Sequence, residues 1–436
     1  MGRTIRPGTA LLVLILLFTA LSFARHGYGH SPDLMATWLA GHFYGQGATD
    51  QVYAGYDGLF TMLPPSEWWS YLVEQGRTEA VYPYVYPPLW AALASHLTPW
   101  IGIDGFQVAA SLVNPVLLAL MVLLAGRACG QAGWALVRFV ALGLGLMIFT
   151  LPGLVALAQN QPQILVSLLI VGAIERDRAG AGPTAGALLA LAAAIKLYPA
   201  VLALLWLAGR RWRSLTAFVL VGGALGGLSL LLAGWPLHAQ FLNDVAAIRQ
   251  TVLMNHFTYG LDPVIAQLAP VGEVMIVTAP ESAASPSNPV GWRVLEKPPL
   301  WSGLSTLALL ALVAFGGWRC RHGVDVLFWP VFLVALALIL PLSWGYHYLP
   351  ALAFLPVLPI RYGLRCGTAL FLALALPLTV PAYRLIRDLP LTDMAPQIAG
   401  TAIMIACGIA LALAPPGSAR VSHPHKHPLH RRAPSL

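Results

Sequence analysis

An all-α protein that crosses a membrane many times is the fold the sequence predicts, and three observations predict it. Of 436 residues, 58% are hydrophobic and only 10% charged, whereas a water-facing surface needs roughly 25–35% charged residues. Apolar runs approaching ~20 residues, the length that crosses a bilayer, recur from end to end. Basic residues sit singly or in small clusters between these runs. The formal net charge of +8 therefore reads as a topology signal and not as a nucleic-acid-binding face, and no nucleic-acid partner is expected.

Taken in order, the apolar segments fall at 9–24, 106–125, 137–152, 154–174, 184–197, 199–208, 214–233, 301–318, 324–343, 349–361, 367–384 and 396–414. With soft boundaries this amounts to about 11–13 transmembrane helices in a single integral membrane domain, residues 1–414. Arg3 and Arg6 followed by Leu11–Ala24 resemble a signal peptide, but the cleavage site is poor and further spans follow, so this segment is expected to remain as the first helix. The 13-residue stretch Pro88–Trp100, entered through Pro87-Pro88, is too short to cross and suits a helix lying at the interface.

Charge fixes the orientation. With the N-terminus cytoplasmic, one side holds 17 of the 25 basic residues, including Arg127, Arg176, Arg178, Arg210 and Arg211, and only Glu175, Asp177 and Asp325 of the 17 acidic ones. Positive residues mark the cytoplasm. Two long segments, 25–87 and 234–300, then face outward, and chemistry is expected there because long loops in a tight bundle are usually functional. The tail 415–436, basic and carrying His423, His425, His427 and His430, is expected to be cytoplasmic.

Several residue types exclude whole classes of chemistry. Cys129, Cys320, Cys366 and Cys407 form no CxxC pair, so neither a disulfide framework nor a zinc site is expected. The chain carries no Gly-rich phosphate loop, GxSxG elbow or HExxH motif. No cofactor and no metal are called for.

The candidate site residues all fall on the outer side. Asp33 follows His30-Ser-Pro about nine residues past helix 1; it reads either as a helix N-cap or as a desolvated carboxylate able to accept a proton. Val81-Tyr-Pro-Tyr-Val-Tyr86-Pro87-Pro88 supplies interfacial aromatics and an unusual doubled proline. Ala158-Gln159-Asn160-Gln161-Pro-Gln163 concentrates amides at an outer turn, suited either to interhelical hydrogen bonds or to sugar hydroxyls. Lys196, in Ala-Ile-Lys196-Leu-Tyr198-Pro199, lies at the outer turn of a hairpin whose other ends, Arg178 and Arg210, are cytoplasmic. It either snorkels or holds an anionic headgroup such as a lipid phosphate. Trp344-Gly-Tyr346-His347 occupies a tight outer turn, and Asn255-His256-Phe is a weaker candidate of the same kind.

In that order these motifs resemble glycosyltransferase family 87, enzymes of the GT-C superfamily, over roughly residues 10–360. Leu197 departs from the family's first proline and Ala158 from its frequent glycine. The resemblance implies a GT-C-type bundle with interfacial helices in its outer loops. It implies inverting transfer of a single sugar, by default mannose, from a polyprenyl-phosphate donor to a glycolipid or glycan acceptor among the membrane lipids. Asp33 would be the general base. Lys196, Tyr198 and His347 would hold the donor phosphate, and Tyr86, Gln159, Asn160, Trp344 and His256 would contact substrate. The implied place is the outer face of a bacterial cytoplasmic membrane. A flippase of lipid-linked saccharides is the competing reading, although it would want polar residues through the full bilayer depth.

Overall fold

The computed structural model describes residues 5–269, 272–278 and 291–416. Its first helix, α1 (Pro7–His26), begins with proline in the first turn and ends on Arg25 and His26, as the helix dipole favours. Leu12, Val13, Leu16 and Leu17 on it are each more than half exposed. Such a surface is unfavourable in water and unremarkable in lipid.

The first outer segment then folds as a cap rather than a loop. It contains α2 (Pro32–Gly45), α3 (Ser66–Glu74) and the short α4 (Pro88–Ala94), knit by a cluster that includes Trp38, Leu39, Val52, Trp68, Leu72 and Tyr84. At seven residues, α4 cannot cross a bilayer.

The bundle is built from α5 (Ile103–Ala128), α6 (Gly133–Phe149), α7 (Leu151–Ala158), α8 (Gln163–Arg178), α9 (Gly182–Ile195), α10 (Val201–Ala208) and α11 (Trp212–Gln250). After the second outer segment come α13 (Pro299–Arg321) and α14 (Phe328–Ile339). Short α15 (Leu349–Leu352) and α16 (Leu358–Arg361) follow, then α17 (Leu364–Ala375), α18 (Val380–Arg387) and α19 (Ala395–Ala412). Among the described residues five helices, α1, α5, α11, α13 and α19, are long and apolar enough to span a membrane alone, and shorter apolar helices fill the bundle between them. The protein is thus an all-α polytopic membrane protein.

At the centre lies α8, with twelve of its sixteen residues buried. Helices approach one another through small residues: a Cβ at Gly186 of α9 would collide with the Ser214 carbonyl and Phe218 nitrogen of α11. This is how membrane helices gain van der Waals contact where lipid removes the hydrophobic drive.

Three expected spans are interrupted. Segment 367–384 breaks between α17 and α18, where Leu376–Leu378 form a 3₁₀ turn and Thr379 is extended. Segment 154–174 breaks at the Gln159–Pro162 turn between α7 and α8. Segment 349–361 breaks into α15, a 3₁₀ turn and α16, because Pro350, Pro356 and Pro359 each remove a helical donor. Irregular backbone at this depth is tolerated only inside protein, and Leu349, Phe354, Leu355 and Leu358 are fully buried.

The long α11 also bends. Gly234 adopts φ +69°, a left-handed value that glycine reaches without strain. Pro236 leaves the Leu232 carbonyl without its helical donor, and the Tyr44 hydroxyl takes that carbonyl at 2.6 Å. His238 closes the other side through Ser229 Oγ at 2.9 Å and the Gly234 carbonyl at 2.6 Å. The upper half of α11 therefore lies across the outer end of the bundle.

Beyond it the second outer segment holds β1 (Thr251–Met254), α12 (Leu261–Leu268), β2 (Met275–Val277) and β3 (Trp292–Glu296). They form a three-stranded antiparallel sheet in the order β1-β3-β2, with Leu253 opposite Val294 and Ile276 opposite Arg293. At three to five residues, the strands are too short to give a periodic signal.

The two ends of the bundle differ in chemistry. At one, Glu175 and Asp177, both buried, gather the basic connectors: Arg127 reaches Glu175 at 3.1 Å, and Asp177 takes Ser214 at 2.8 Å with Arg211 nearby. The candidate residues collect at the other end. Of the tail, residues 417–436, including His423, His425, His427 and His430, lie outside the described residues.

A buried ion pair ties α12 to the junction between β3 and α13. Lys297 Nζ lies 3.0 Å from Asp262, which also accepts from the Trp301 indole at 2.6 Å, and both charged side chains are about 5% exposed. Removing one partner strands the other charge and costs about 3–5 kcal/mol, whereas replacing both with apolar groups is close to neutral. Lys297→Met should therefore markedly lower the thermal denaturation midpoint in detergent, and adding Asp262→Leu should restore most of the loss.

Candidate active site

A cavity of about 410 Å³ opens at the end of the bundle opposite Glu175 and Asp177, beneath the cap and the second half of α11. Its floor and walls come from α2, the segment before α4, the α7–α8 turn, the residues after α9, and the turn after α14.

Asp33 enters from the first turn of α2. The N-cap position belongs to Ser31, and Asp33 stands two residues further on. Capping therefore does not occupy its carboxylate, and the adjacent helix N-terminus favours its charge. Ser31 is pinned by donating to the Ala158 carbonyl at 2.8 Å and accepting from Asn160 Nδ2 at 3.0 Å. Burial nonetheless pushes the Asp33 carboxyl up to about 6, partly offset by hydrogen bonding with Gln161 and by the charge of Lys196.

Lys196 follows the last turn of α9 in extended conformation, which swings its side chain off the helix. The Trp90 indole, from α4, donates to the Ala194 carbonyl at 2.7 Å and fixes this end of the hairpin. The Lys196 nitrogen lies 5.5 Å from the ring centroids of both Tyr86 and Tyr346 and 3.2 Å from His347 Nε2. It sits in an aromatic cage suited to a cation. Burial lowers its pKa to about 8, against the raising effect of Asp33.

Gln161 links the two halves of the site. Its Oε1 accepts from the Tyr86 hydroxyl at 3.3 Å, and its Nε2 donates to the Tyr346 hydroxyl at 3.1 Å. Tyr198 is held by Gln163 Nε2 at 2.7 Å, and its ring meets His347 edge-on at 6.0 Å. His347 is oriented by the Trp344 backbone N–H, which donates to Nδ1 at 2.9 Å. Burial and the neighbouring Lys196 depress its pKa well below the ordinary imidazole range. Gly345 permits the tight turn, because a Cβ there would strike Phe257 and Tyr259.

The remaining lining mixes aliphatic side chains, among them Val155, Leu197, Leu333, Ala337 and Leu340, with the aromatic rings of Phe60, Tyr82, Phe241, Phe257, Trp292 and Trp344. Gln159 borders the cavity, and its Oε1 has no hydrogen-bond partner.

Seven of the residues singled out from the sequence thus meet around one cavity: Asp33, Tyr86, Gln159, Lys196, Tyr198, Trp344 and His347. Two do not. Asn160 is buried away from it, with φ +45°; its side chain bonds Ser31, Ser111 at 2.9 Å and Asn114 at 3.0 Å. It takes the interhelical role that the amide-rich turn allowed. His256 turns outward to the Tyr383 hydroxyl at 2.9 Å, while its neighbours Asn255 and Phe257 line the cavity. Sequence reasoning missed Gln161 and Tyr346 as site residues. Both stand inside motifs it had marked, but no periodicity there indicates which amide or which tyrosine turns inward.

No curated protein matches the chain. A family model does: that of glycosyltransferase family 87, over residues 84–343. The match spans more than half of the chain, takes in Tyr86, Gln161, Lys196 and Tyr198, and leaves Asp33 and His347 on either side. With its membrane bundle and a cavity joining these segments, the chain belongs to glycosyltransferase family 87.

Proposed function

We propose that this membrane glycosyltransferase moves one sugar, mannose by default, from a polyprenyl-phosphate donor to a lipid or glycan acceptor, with inversion, at the extracytoplasmic face of a bacterial cytoplasmic membrane. The observation that carries the reading is a carboxylate and a lysine lining one cavity whose remaining walls combine aliphatic and aromatic side chains. The aliphatic side chains suit a prenyl chain, and the aromatic rings suit sugar rings.

In this reading Asp33 accepts the proton of the acceptor hydroxyl as its oxygen bonds to the anomeric carbon. The bond from that carbon to the phosphate oxygen breaks, and the electron pair leaves with polyprenyl phosphate. Charge balances: the monoanionic diester and the Asp33 carboxylate become a dianionic monoester and a neutral acid. Lys196 as an ammonium stabilises the charge that develops on the leaving phosphate. Gln161 orients Tyr86 and Tyr346 around it, and no metal is required for this step.

Transfer of radiolabel from synthetic polyprenyl-phosphomannose to a membrane lipid extract tests the reading. Asp33→Asn should lower transfer about 10²–10⁴-fold, the usual share of a general base, with the protein still expressed and folded. Substantial residual transfer would remove Asp33 from that role. Transfer absent from wild type with mannosyl, arabinosyl and uronosyl donors alike would favour lipid-linked saccharide flipping instead.

The pH profile follows from the two shifts. Asp33 must be ionised to accept a proton, so kcat/KM should fall below about pH 6; Lys196 must be charged to hold phosphate, so it should fall again above about pH 8. In Lys196→Arg the alkaline limb should disappear over the range to pH 10, whatever rate remains. An alkaline limb unchanged in that variant would assign it elsewhere.

A further inference from the structure

His347 is approached by two nitrogen donors, and a neutral imidazole has only one acceptor. The Trp344 backbone N–H, 2.9 Å from Nδ1, can only donate. Nδ1 therefore carries no proton, and the imidazole is neutral with its proton on Nε2. That Nε2–H faces Lys196 Nζ at 3.2 Å. An ammonium has three N–H groups and no lone pair, so it would meet Nε2–H proton against proton. An amine offers the lone pair that makes the contact a hydrogen bond.

The other groups facing Lys196 favour its charged form and set how alkaline the medium must be before the amine forms. Asp33 from α2 acts on it through charge. Tyr86 from the segment before α4 and Tyr346 from the outer turn present their ring faces. The Tyr198 hydroxyl, bonded to Gln163, is turned to α8.

We infer that at alkaline pH Lys196 rests on His347 as an uncharged amine while the site is empty and becomes an ammonium when the anionic phosphate of the donor enters, so that donor binding there takes up one proton from water. The inference rests on the reading that prenyl phosphate occupies this cavity. Nζ gains the proton, and a positive charge arises where the phosphate brings a negative one. The new ammonium is repelled by Nε2–H and turns to the phosphate. Nε2–H is thereby freed to donate to the same anion. His347 thus acts as a positioning residue whose Nε2–H favours the uncharged lysine in the empty site.

Isothermal titration calorimetry of the purified protein with farnesyl phosphate, at pH 9 in buffers of different ionisation enthalpy, reads the proton directly. A phosphate monoester, whose second pKa is about 6, is fully dianionic at pH 9 and takes up none itself. Wild type should take up about one proton per ligand bound. Lys196→Arg, permanently charged, should bind with no buffer dependence. His347→Asn, whose amide oxygen can accept from an ammonium, should keep Lys196 charged in the empty site and reduce uptake to less than half. Binding to wild type with a buffer-independent enthalpy overturns the inference, and unchanged uptake in His347→Asn removes His347 from it. Absence of farnesyl phosphate binding overturns instead the phosphate reading on which it rests.

Discussion

Asn160 holds three parts of the molecule together with one amide. It accepts from Asn114 of α5 and donates to Ser111 of α5 and to Ser31 at the start of α2, while its own backbone makes the turn from α7 to α8. Inside a bilayer-embedded bundle no water is at hand to satisfy a stray polar group, so such an amide finds all its partners in the protein or destabilises it. The residues on either side of it then have their direction fixed: Gln159 and Gln161 border the cavity, and Asp33, two residues past Ser31, faces the same space. The site depends on a residue that does not touch it.

The cavity keeps opposite charges apart yet within each other's influence. Asp33 and Lys196 form no ion pair, but each appears among the causes of the other's pKa shift. A direct pair would leave both groups satisfied and unavailable. Separation by the Tyr86–Gln161–Tyr346 chain leaves the carboxylate and the lysine each facing open volume, in low-dielectric surroundings that strengthen any charge formed between them.

Much of this was legible in the sequence because membranes impose simple rules. Apolar length indicated the bundle, and the shortness of Pro88–Trp100 indicated a helix too short to cross a membrane. Motif order brought Asp33, Tyr86, Lys196 and His347 under consideration without any three-dimensional information. What stayed hidden was set by tertiary packing. The breaks within 154–174, 349–361 and 367–384 replace expected helix with turns. The strands of the second outer segment are too short to show alternation. Whether Asn160 or Gln161 faced the cavity turned on one left-handed backbone angle, which composition does not encode.

The bend in α11 has an architectural meaning. A 39-residue helix that departs from helical dihedrals at Gly234 makes a membrane span and the ceiling over the cavity out of one continuous piece, with Phe241, Val245 and Ile248 facing down into the space. The side chains that line the floor belong to other segments. Headroom above the floor is therefore an independent variable, set by the geometry at one glycine and its Tyr44, Ser229 and His238 braces. A lineage can enlarge or shrink the room for its acceptor by altering that corner while leaving the chemistry below untouched.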